Sequence, residues 1–389
     1  MKRLIIITLI LLSVSVIHAQ ENDEETCTTI LQTVLEAANE ACTEIGLNQA
    51  CYGHNLIEVE TTDTISFDAE GDLIDITALQ RLITTPFNPE EETWGIAFMS
   101  LQANLEDVLP GQAVTIVLFG DTAIEPVESE VHNAPMQAFR ISNGIGQASC
   151  ATLPPDGLLI QSPEGEIVQL QINDVDISIG STAFFRNVNE DQLQINNIEG
   201  TVEATSQGIT QRIDPGFTLT VDPQSPPGEP QPWDNAVNFY MPVELLPDPV
   251  VIPVTLKTAE CVASNVHLES GETFSISAHG SMSLWPPCNE YCTLEYCTQL
   301  CDAILDISPA GSVPIGGIVP DSVPYMSMPN EPLVGLIGKI EEDGDYFFIG
   351  AEGTFTAPAS GMLYLCANED QRVVGDETGA FVVTINTEP

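Results

Sequence analysis

An acidic loop near the C-terminus holds the residues best suited to chemistry. It lies between two apolar segments, residues 362–365 and 381–385, and carries four carboxylates and an amide: Glu369, Asp370, Asp376, Glu377 and Asn368. Carboxylates this close in sequence repel one another at neutral pH unless water or a cation surrounds them. Calcium takes about six to eight oxygen ligands from carboxylates, carbonyls and waters. The loop therefore predicts a calcium site, and a fully solvated hairpin end is the alternative.

The segments that must position this loop have the pattern of a mainly β protein. From residue 94 onward, short apolar segments alternate with Gly, Asn, Asp and Pro turn signals, most densely in residues 157–221. Evenly spaced short strands of this kind are typical of a β-barrel or β-sandwich. Apolar residues at helical spacing predict one amphipathic helix over residues 29–41 and a second, shorter helix near residues 73–82.

The N-terminus has the pattern of a secretory signal peptide over residues 1–19. Lys2 and Arg3 precede an apolar stretch, residues 4–17, which ends before Ala19 and an acidic segment. This order of basic, apolar and small residues is typical of a cleaved export signal. No later stretch approaches the roughly 20 apolar residues of a transmembrane helix. We therefore expect a secreted or extracytoplasmic protein without a membrane span.

The charge of the chain excludes some classes of partner. It has 57 acidic and 9 basic residues, with a net charge of −48. Binding to nucleic acid or to an anionic membrane depends on clustered Lys and Arg, which such a chain lacks. Because 43% of the residues are hydrophobic and fall in short periodic segments, the chain is nevertheless expected to fold. The composition leaves the oligomeric state open.

Ten cysteines in an exported chain predict disulfide bonds. Four of them form a cluster whose spacing is symmetrical, with Cys288 and Cys301 outside and Cys292 and Cys297 inside. This spacing suits a helical hairpin with the nested bridges Cys288–Cys301 and Cys292–Cys297. Four thiolates that hold zinc are the alternative, although an oxidising compartment favours the bridges.

Changes in composition divide the chain into five parts. They are the signal peptide 1–19, a disulfide-stapled helical segment 20–60, a β-domain 61–222, a proline-rich linker 223–253 and a β-domain 254–389 with the Cys-rich insert 288–301. Nine prolines in residues 223–253 predict a semi-rigid connection between two folded parts.

The first β-domain resembles the FecR domain of bacterial envelope proteins over about residues 94–221. The similar residues are a strand that enters Gly180-Ser181-Thr182-Ala183-Phe184, the segment 198–202 with sequence IEGTV, and the turn Pro215-Gly216 before a last strand. In that family the domain lies outside the cytoplasmic membrane and relays signals through an attached transmembrane helix. Since the sequence shows no such helix, the resemblance implies a β-scaffold or interaction module.

The last domain, about residues 254–389, resembles the galactophilic calcium-dependent lectin of Pseudomonas. The similarity runs from residues 271–274, with sequence GETF, through residues 333–340, with sequence LVGLIGKI, to Ile385. It aligns the acidic loop without a gap to the lectin's metal and sugar loop, up to the shared Gly379. The resemblance implies a β-sandwich that binds carbohydrate through calcium.

Carried over residue by residue, the lectin's calcium ligands fall on five positions: Glu369, Val373, Asp376, Glu377 and, through a backbone carbonyl from an earlier loop, Leu284. Asn368, Asp370 and Trp285 are also predicted to lie near the ligand, because the first two belong to the acidic loop and Trp285 follows Leu284. Trp285 is either a platform for a sugar ring or part of the core. The side chains keep oxygen donors but are not identical to the lectin's, and the insert 288–301 replaces its sugar-contacting loop. Cys261 and Cys366 flank the first and penultimate strands of this domain and are expected to pair.

Motifs of the common enzyme classes are missing from the sequence. There is no nucleophile elbow, His-Glu-x-x-His zinc motif, phosphate loop or dinucleotide fingerprint. A glycosidase needs only two carboxylates, so this class stays open on residue types alone. The sequence therefore predicts a non-catalytic binding protein for carbohydrate or an envelope component. A structural or protein-interaction module with a degenerate lectin site is the alternative.

Overall fold

The computed structural model describes residues 27–62, 65–103, 113–144, 150, 153–189, 191–235, 240–284, 306–312, 326–369 and 377–387. These residues form two compact units. The first contains the described residues up to Gln231 together with those of Ala236–Val250, and the second contains Pro232–Asn235 and the described residues from Val251 onward. In the described residues both units are mainly β, as the sequence predicts, and the first of the two predicted helices lies at the start of the first unit.

The first unit begins with the helix α1, residues 27–41. Its strands are β1 (Gln49–His54), β2 (Glu58–Thr61), β3 (Leu73–Asp75), β4 (Leu79–Thr84), β5 (Ile96–Leu101), β6 (Val114–Phe119), β7 (Thr122–Pro126), β8 (Ala138–Asn143), β9 (Gly157–Gln161), β10 (Val168–Ile172), β11 (Val175–Asn189), β12 (Gln192–Ser206), β13 (Ile209–Ile213) and β14 (Phe217–Val221). The 3-10 turn Val243–Leu245 also belongs to this unit, and its residue Gln231 begins the two-residue strand β15 (Gln231–Pro232).

The strands of this unit hydrogen bond in the order β2-β4-β7-β8-β10-β11-β9-β6-β5-β1-β3, with β12 on β11 and both β13 and β14 on β12. The long strand β11 pairs with β10 through its first half and with β9 through its second half. The register between β11 and β12 shifts near this change of partner. Gly200 makes the bend possible, because it has a positive φ and a Cβ there would meet the backbone of Gly180.

The second helix that the sequence predicted near residues 73–82 is wrong. These residues form β3, the 3-10 turn Ile76–Ala78 and β4. The strand β3 ends at Asp75, because the Asp75 carboxylate accepts hydrogen bonds from the backbone N–H and the hydroxyl of Thr77. The apolar residues that suggested a helix are buried from two separate strands and the turn between them.

Disulfides staple the helix to the first unit. Cys42, just beyond the helix, is bonded to Cys51 in β1, and Cys27 is bonded to Cys150 across 123 residues.

Part of the predicted linker also belongs to this unit. The Gln161 amide donates to the carbonyl oxygen of Asp248 at 3.0 Å and accepts from its N–H at 3.0 Å. Residues 240–250 therefore form part of the first unit rather than a free connection.

The second unit is a β-sandwich of two four-stranded sheets. Its strands are β16 (Val254–Leu256), β17 (Val262–Leu268), β18 (Thr273–Leu284), β19 (Leu336–Ile340), β20 (Phe347–Phe348), β21 (Glu352–Thr356), β22 (Gly361–Ala367) and β23 (Glu377–Thr387). One sheet has the order β16-β23-β18-β21 and the other β17-β22-β19-β20. Phe274, Phe347 and Phe355, from three different strands, have ring centroids 5.5–6.4 Å apart. Phe274 is buried and the other two rings are half-buried, so this aromatic cluster joins the two sheets at the border of the core.

Candidate functional site

The candidate site lies where the chain passes from one sheet of the second unit to the other. The strand β22 ends at Ala367 in one sheet, and β23 begins at Glu377 in the other. The acidic loop connects these two ends. Leu284, the last residue of β18, is the direct register partner of Glu377. Two of the five predicted calcium ligands, the Leu284 backbone and Glu377, are therefore opposite each other at the same end of one strand pair.

Two glycines shape this end of the sheet. Gly280 in β18 and Gly379 in β23 both have positive φ values. A Cβ on Gly280 would meet the carbonyl oxygen of Ala380, and a Cβ on Gly379 would meet that of Ser281. Glycine is thus required for the two backbones to approach and twist here. The shared Gly379 of the sequence comparison has a structural role next to the candidate ligands.

Glu369 is brought to the same end of the unit by covalent and hydrogen-bonded links. Its side chain is buried, with 4% of its surface exposed. Three residues before it, Cys366 is bonded to Cys261, the pair expected from the sequence. Near Cys261, the backbone N–H of Ala259 donates to the Glu377 carboxylate at 2.8 Å. The segment 259–261 therefore links the chain next to Glu369 with Glu377.

Asn368 has a structural role that differs from the ligand contact expected from the sequence. Its side chain is completely buried. The amide nitrogen donates to the carbonyl oxygens of Met328 at 2.9 Å, Pro332 at 3.0 Å and Glu331 at 3.3 Å, and the amide oxygen accepts from the N–H of Met328 at 2.9 Å. With its donors used in this way, Asn368 holds the segment 328–332 against the end of β22.

The remaining predicted positions lie outside the described residues. They are Asp370, Val373, Asp376, Trp285 and the cluster Cys288, Cys292, Cys297 and Cys301. Among the residues that are described, no group of three or more His, Cys, Asp or Glu side chains is placed to hold a metal ion. The described part of the site thus supplies two carboxylates and one strand end, and the metal and sugar contacts remain predictions.

The structure adds parts of the site that the sequence analysis missed. One is the segment 328–332, which Asn368 holds, and another is Ala259, which donates to Glu377. Neither contact has a local signal, because the partners are 40 and 118 residues apart in sequence. An asparagine directly after the buried strand β22 was the one available hint, since buried amides usually satisfy backbone groups.

Comparisons with known proteins give distant likenesses in structure. No protein-family model matches the sequence, and no curated relative matches it. Similar solved structures include a PllA-like lectin, the EclA N-terminal domain, with 20% identity over 35% of this chain and 98% of that one, at a TM-score of 0.24. Two crystal structures of an anti-sigma factor from Parabacteroides distasonis have 8% and 10% identity, each with a TM-score of 0.24.

The chain spans 56% and 61% of the two anti-sigma factor chains, which cover 35% and 36% of its own length. At these scores none of the likenesses assigns the chain to a family.

The six cysteines that the structure describes form three disulfide bonds. Disulfides form and persist in oxidising compartments, so the bridges fit a protein that works outside the cytoplasm. Within the described ranges, no helix is long and apolar enough to cross a membrane.

Proposed function

We propose that the second unit binds calcium through the acidic loop and, through that calcium, a carbohydrate. The observation that supports the proposal is that Glu377 lies opposite the end of β18, while Cys261–Cys366 and the Ala259 hydrogen bond connect the chain next to Glu369 with Glu377. Carboxylates and backbone carbonyls are the oxygen donors that calcium prefers. The loop residues between them add Asp370 and Asp376 to the same sequence segment.

The chemistry follows from how calcium is coordinated. Its shell of about six to eight oxygens is flexible, and ordered waters fill the positions that the protein does not occupy. Two neighbouring hydroxyls of a sugar replace two such waters at small cost, because they offer oxygens of similar strength. The protein then acts as a non-catalytic, extracytoplasmic binding protein for a carbohydrate or a glycan-bearing envelope component.

The test is a calcium titration of the full chain by calorimetry, followed by glycan-array screening with and without a chelator. We expect one calcium per chain and glycan signals that the chelator removes. Glu377→Gln is the most informative variant, because the amide oxygen still accepts from Ala259 while the charge is lost. Glu352→Gln removes the same charge from an exposed position on β21 and is the matched control.

Calcium affinity should fall by at least about tenfold in Glu377→Gln and stay unchanged in Glu352→Gln. Absence of calcium binding by the full chain, or an equal effect of the two variants, would overturn the site assignment.

Specific contacts also favour a second candidate, an interaction module with a degenerate lectin site. The Glu377 carboxylate already accepts a backbone hydrogen bond, and the Asn368 amide is used to hold the segment 328–332. Both residues thus have structural reasons to be present. If the full chain binds neither calcium nor a glycan, while Glu377→Ala unfolds at a lower temperature than Glu377→Gln, the structural function takes the place of the lectin function.

A further inference from the structure

A groove of about 550 Å³ lies in the second unit beside the segment that Asn368 holds. Its walls come from two segments: Ser327, Met328, Pro329, Asn330 and Glu331 on one, and Gly344, Asp345 and Tyr346 on the other. This volume falls within the range of about 300–1,000 Å³ that is typical of small-molecule sites. No residue of the groove belongs to the predicted calcium ligands.

Buried interactions make both walls of the groove well defined. On one side, the Asn368 amide bonds to the backbone of Met328 at both its carbonyl and its N–H. On the other side, the ammonium of Lys339 lies 5.3 Å from the centroid of the Tyr346 ring, and the Tyr346 hydroxyl is 3.8 Å from the sulfur of Cys261. A wall fixed in advance loses less conformational entropy when a ligand binds.

The chemistry of the lining residues is mixed in a specific way. Tyr346, Met328 and Pro329 offer apolar and aromatic surface, whereas Glu331 and Asp345 offer carboxylates. No cationic side chain is among the lining residues that the structure describes. The nearby Lys339 is 8% exposed, and its ammonium donates to the Glu342 carbonyl oxygen and lies over two tyrosine rings. None of the ion pairs among the described residues joins Lys339 to Glu331 or Asp345, so these two carboxylates are not paired with the nearby lysine.

From this combination we infer that the groove binds an amino sugar, a hexosamine with a free ammonium group. The ring of such a sugar packs on an aromatic side chain, and its ammonium donates charge-assisted hydrogen bonds to carboxylates. The strongly negative chain also attracts a cationic ligand and repels a uronic acid or a phosphate. A bare divalent cation fits less well, because no group of three metal-ligating acidic, His or Cys side chains exists among the described residues.

The inference does not rest on calcium, so it is tested on the full chain in the presence of a chelator. The probes are three trisaccharides: glucosamine, N-acetylglucosamine and galacturonic acid oligomers. We expect calorimetry to show the glucosamine oligomer binding at least about tenfold more tightly than the N-acetylated one, and no binding of the uronic acid. Binding should weaken as the pH rises above the pKa of the sugar amine, because the ammonium is then lost.

Variants locate the binding in the groove. Asp345→Asn and Tyr346→Leu should each weaken binding of the glucosamine oligomer by at least about tenfold, and Tyr346→Phe should retain it. Glu342→Gln removes the same charge from an exposed side chain that does not line the groove, and it should bind like the parent protein. Circular dichroism checks that each variant is folded, and if Tyr346→Leu is not, Asp345→Asn decides.

Equal affinity for the acetylated and free oligomers would overturn the inference, and so would an unchanged affinity in Asp345→Asn. With magnesium added in excess over the chelator, competition at the same residues would identify an ion site instead. Since the chelator removes calcium throughout, failure here leaves the proposed calcium-dependent function untouched, and failure of that function leaves this result unchanged.

Discussion

Replacement of Asn368 is the sharpest test of how the second unit is built. Its side chain makes four hydrogen bonds to the backbone of residues 328–332 from a completely buried position. A typical hydrogen bond contributes about 0.5–1.5 kcal/mol, and a buried group left unsatisfied costs about 1–3 kcal/mol. Because one of the four is long at 3.3 Å, we expect Asn368→Ala to lower the free energy of unfolding by about 3 kcal/mol.

Asn235 offers a matched control in the same unit. Its side-chain amide also makes two hydrogen bonds to backbone groups. It donates to the carbonyl oxygen of Thr255 at 2.7 Å and accepts from the N–H of Thr255 at 2.8 Å. It is only half-buried, so water can replace it, and Asn235→Ala should cost about 1 kcal/mol. Urea unfolding followed by the fluorescence of the buried Trp233, in a background without the other tryptophans, measures both.

Hydrogen exchange gives a local view of the same perturbation. In Asn368→Ala, amides of residues 326–335 should lose protection, while those of β22 keep theirs, because the strand's own pairing with β19 is unchanged. Asn368→Asp should be worse at neutral pH, since it turns a buried carboxylate toward three carbonyl oxygens. A loss below about 1 kcal/mol for Asn368→Ala, or unchanged exchange in residues 326–335, would refute the argument.

Three further predictions concern the first unit. Removal of Cys27–Cys150, which closes 123 residues, should cost about 4.9 kcal/mol in the chain-entropy model, against about 2.6 kcal/mol for Cys42–Cys51, which closes 9. Urea unfolding of the two double alanine variants measures the difference, and equal losses would contradict the model. Burial, together with repulsion from the Asp121 carboxylate, raises the pKa of Asp156 above its ordinary value of 3.8. The protonated Asp156 side chain therefore stabilises the fold in acid, and this stabilisation is lost as the pH rises through the folded-state pKa. Asp156→Asn should therefore stabilise the protein at neutral pH and not in acid. Hydrogen bonds from Thr77 lower the pKa of Asp75 below its ordinary value of 3.8. The Asp75 carboxylate therefore stabilises the fold above pH 3.8, and this stabilisation is lost as the pH falls through the folded-state pKa. Asp75→Asn should instead destabilise the protein at neutral pH. Thermal unfolding of both variants between acid and neutral pH measures the two changes in stability. A change of the same sign for both variants at neutral pH would contradict the predictions.

The fold class was predictable from sequence because it depends on local patterns. Alternation of apolar and polar residues repeats over a few positions, and it identified the β structure and the helix at residues 29–41, which the structure has at 27–41. The same local view failed at residues 73–82. There, the apolar residues of a strand, a turn and a second strand happen to fall at helical spacing. Only the pairing of β3 with β1 and of β4 with β2 shows that the segment is two strands rather than a helix.

The candidate site divides in the same way. Its carboxylates are adjacent in sequence, so their concentration in one loop was visible from the residues alone. The use of each side chain was not, because hydrogen-bond partners are set by strand register and by chain segments far away in sequence. Asn368 reaches a segment 40 residues earlier, and Glu377 accepts from Ala259, 118 residues earlier. Sequence thus determined which chemical groups are present at this end of the sandwich, and tertiary structure decided which of them hold the fold, since a buried polar group must find its partner wherever the packed chain brings one.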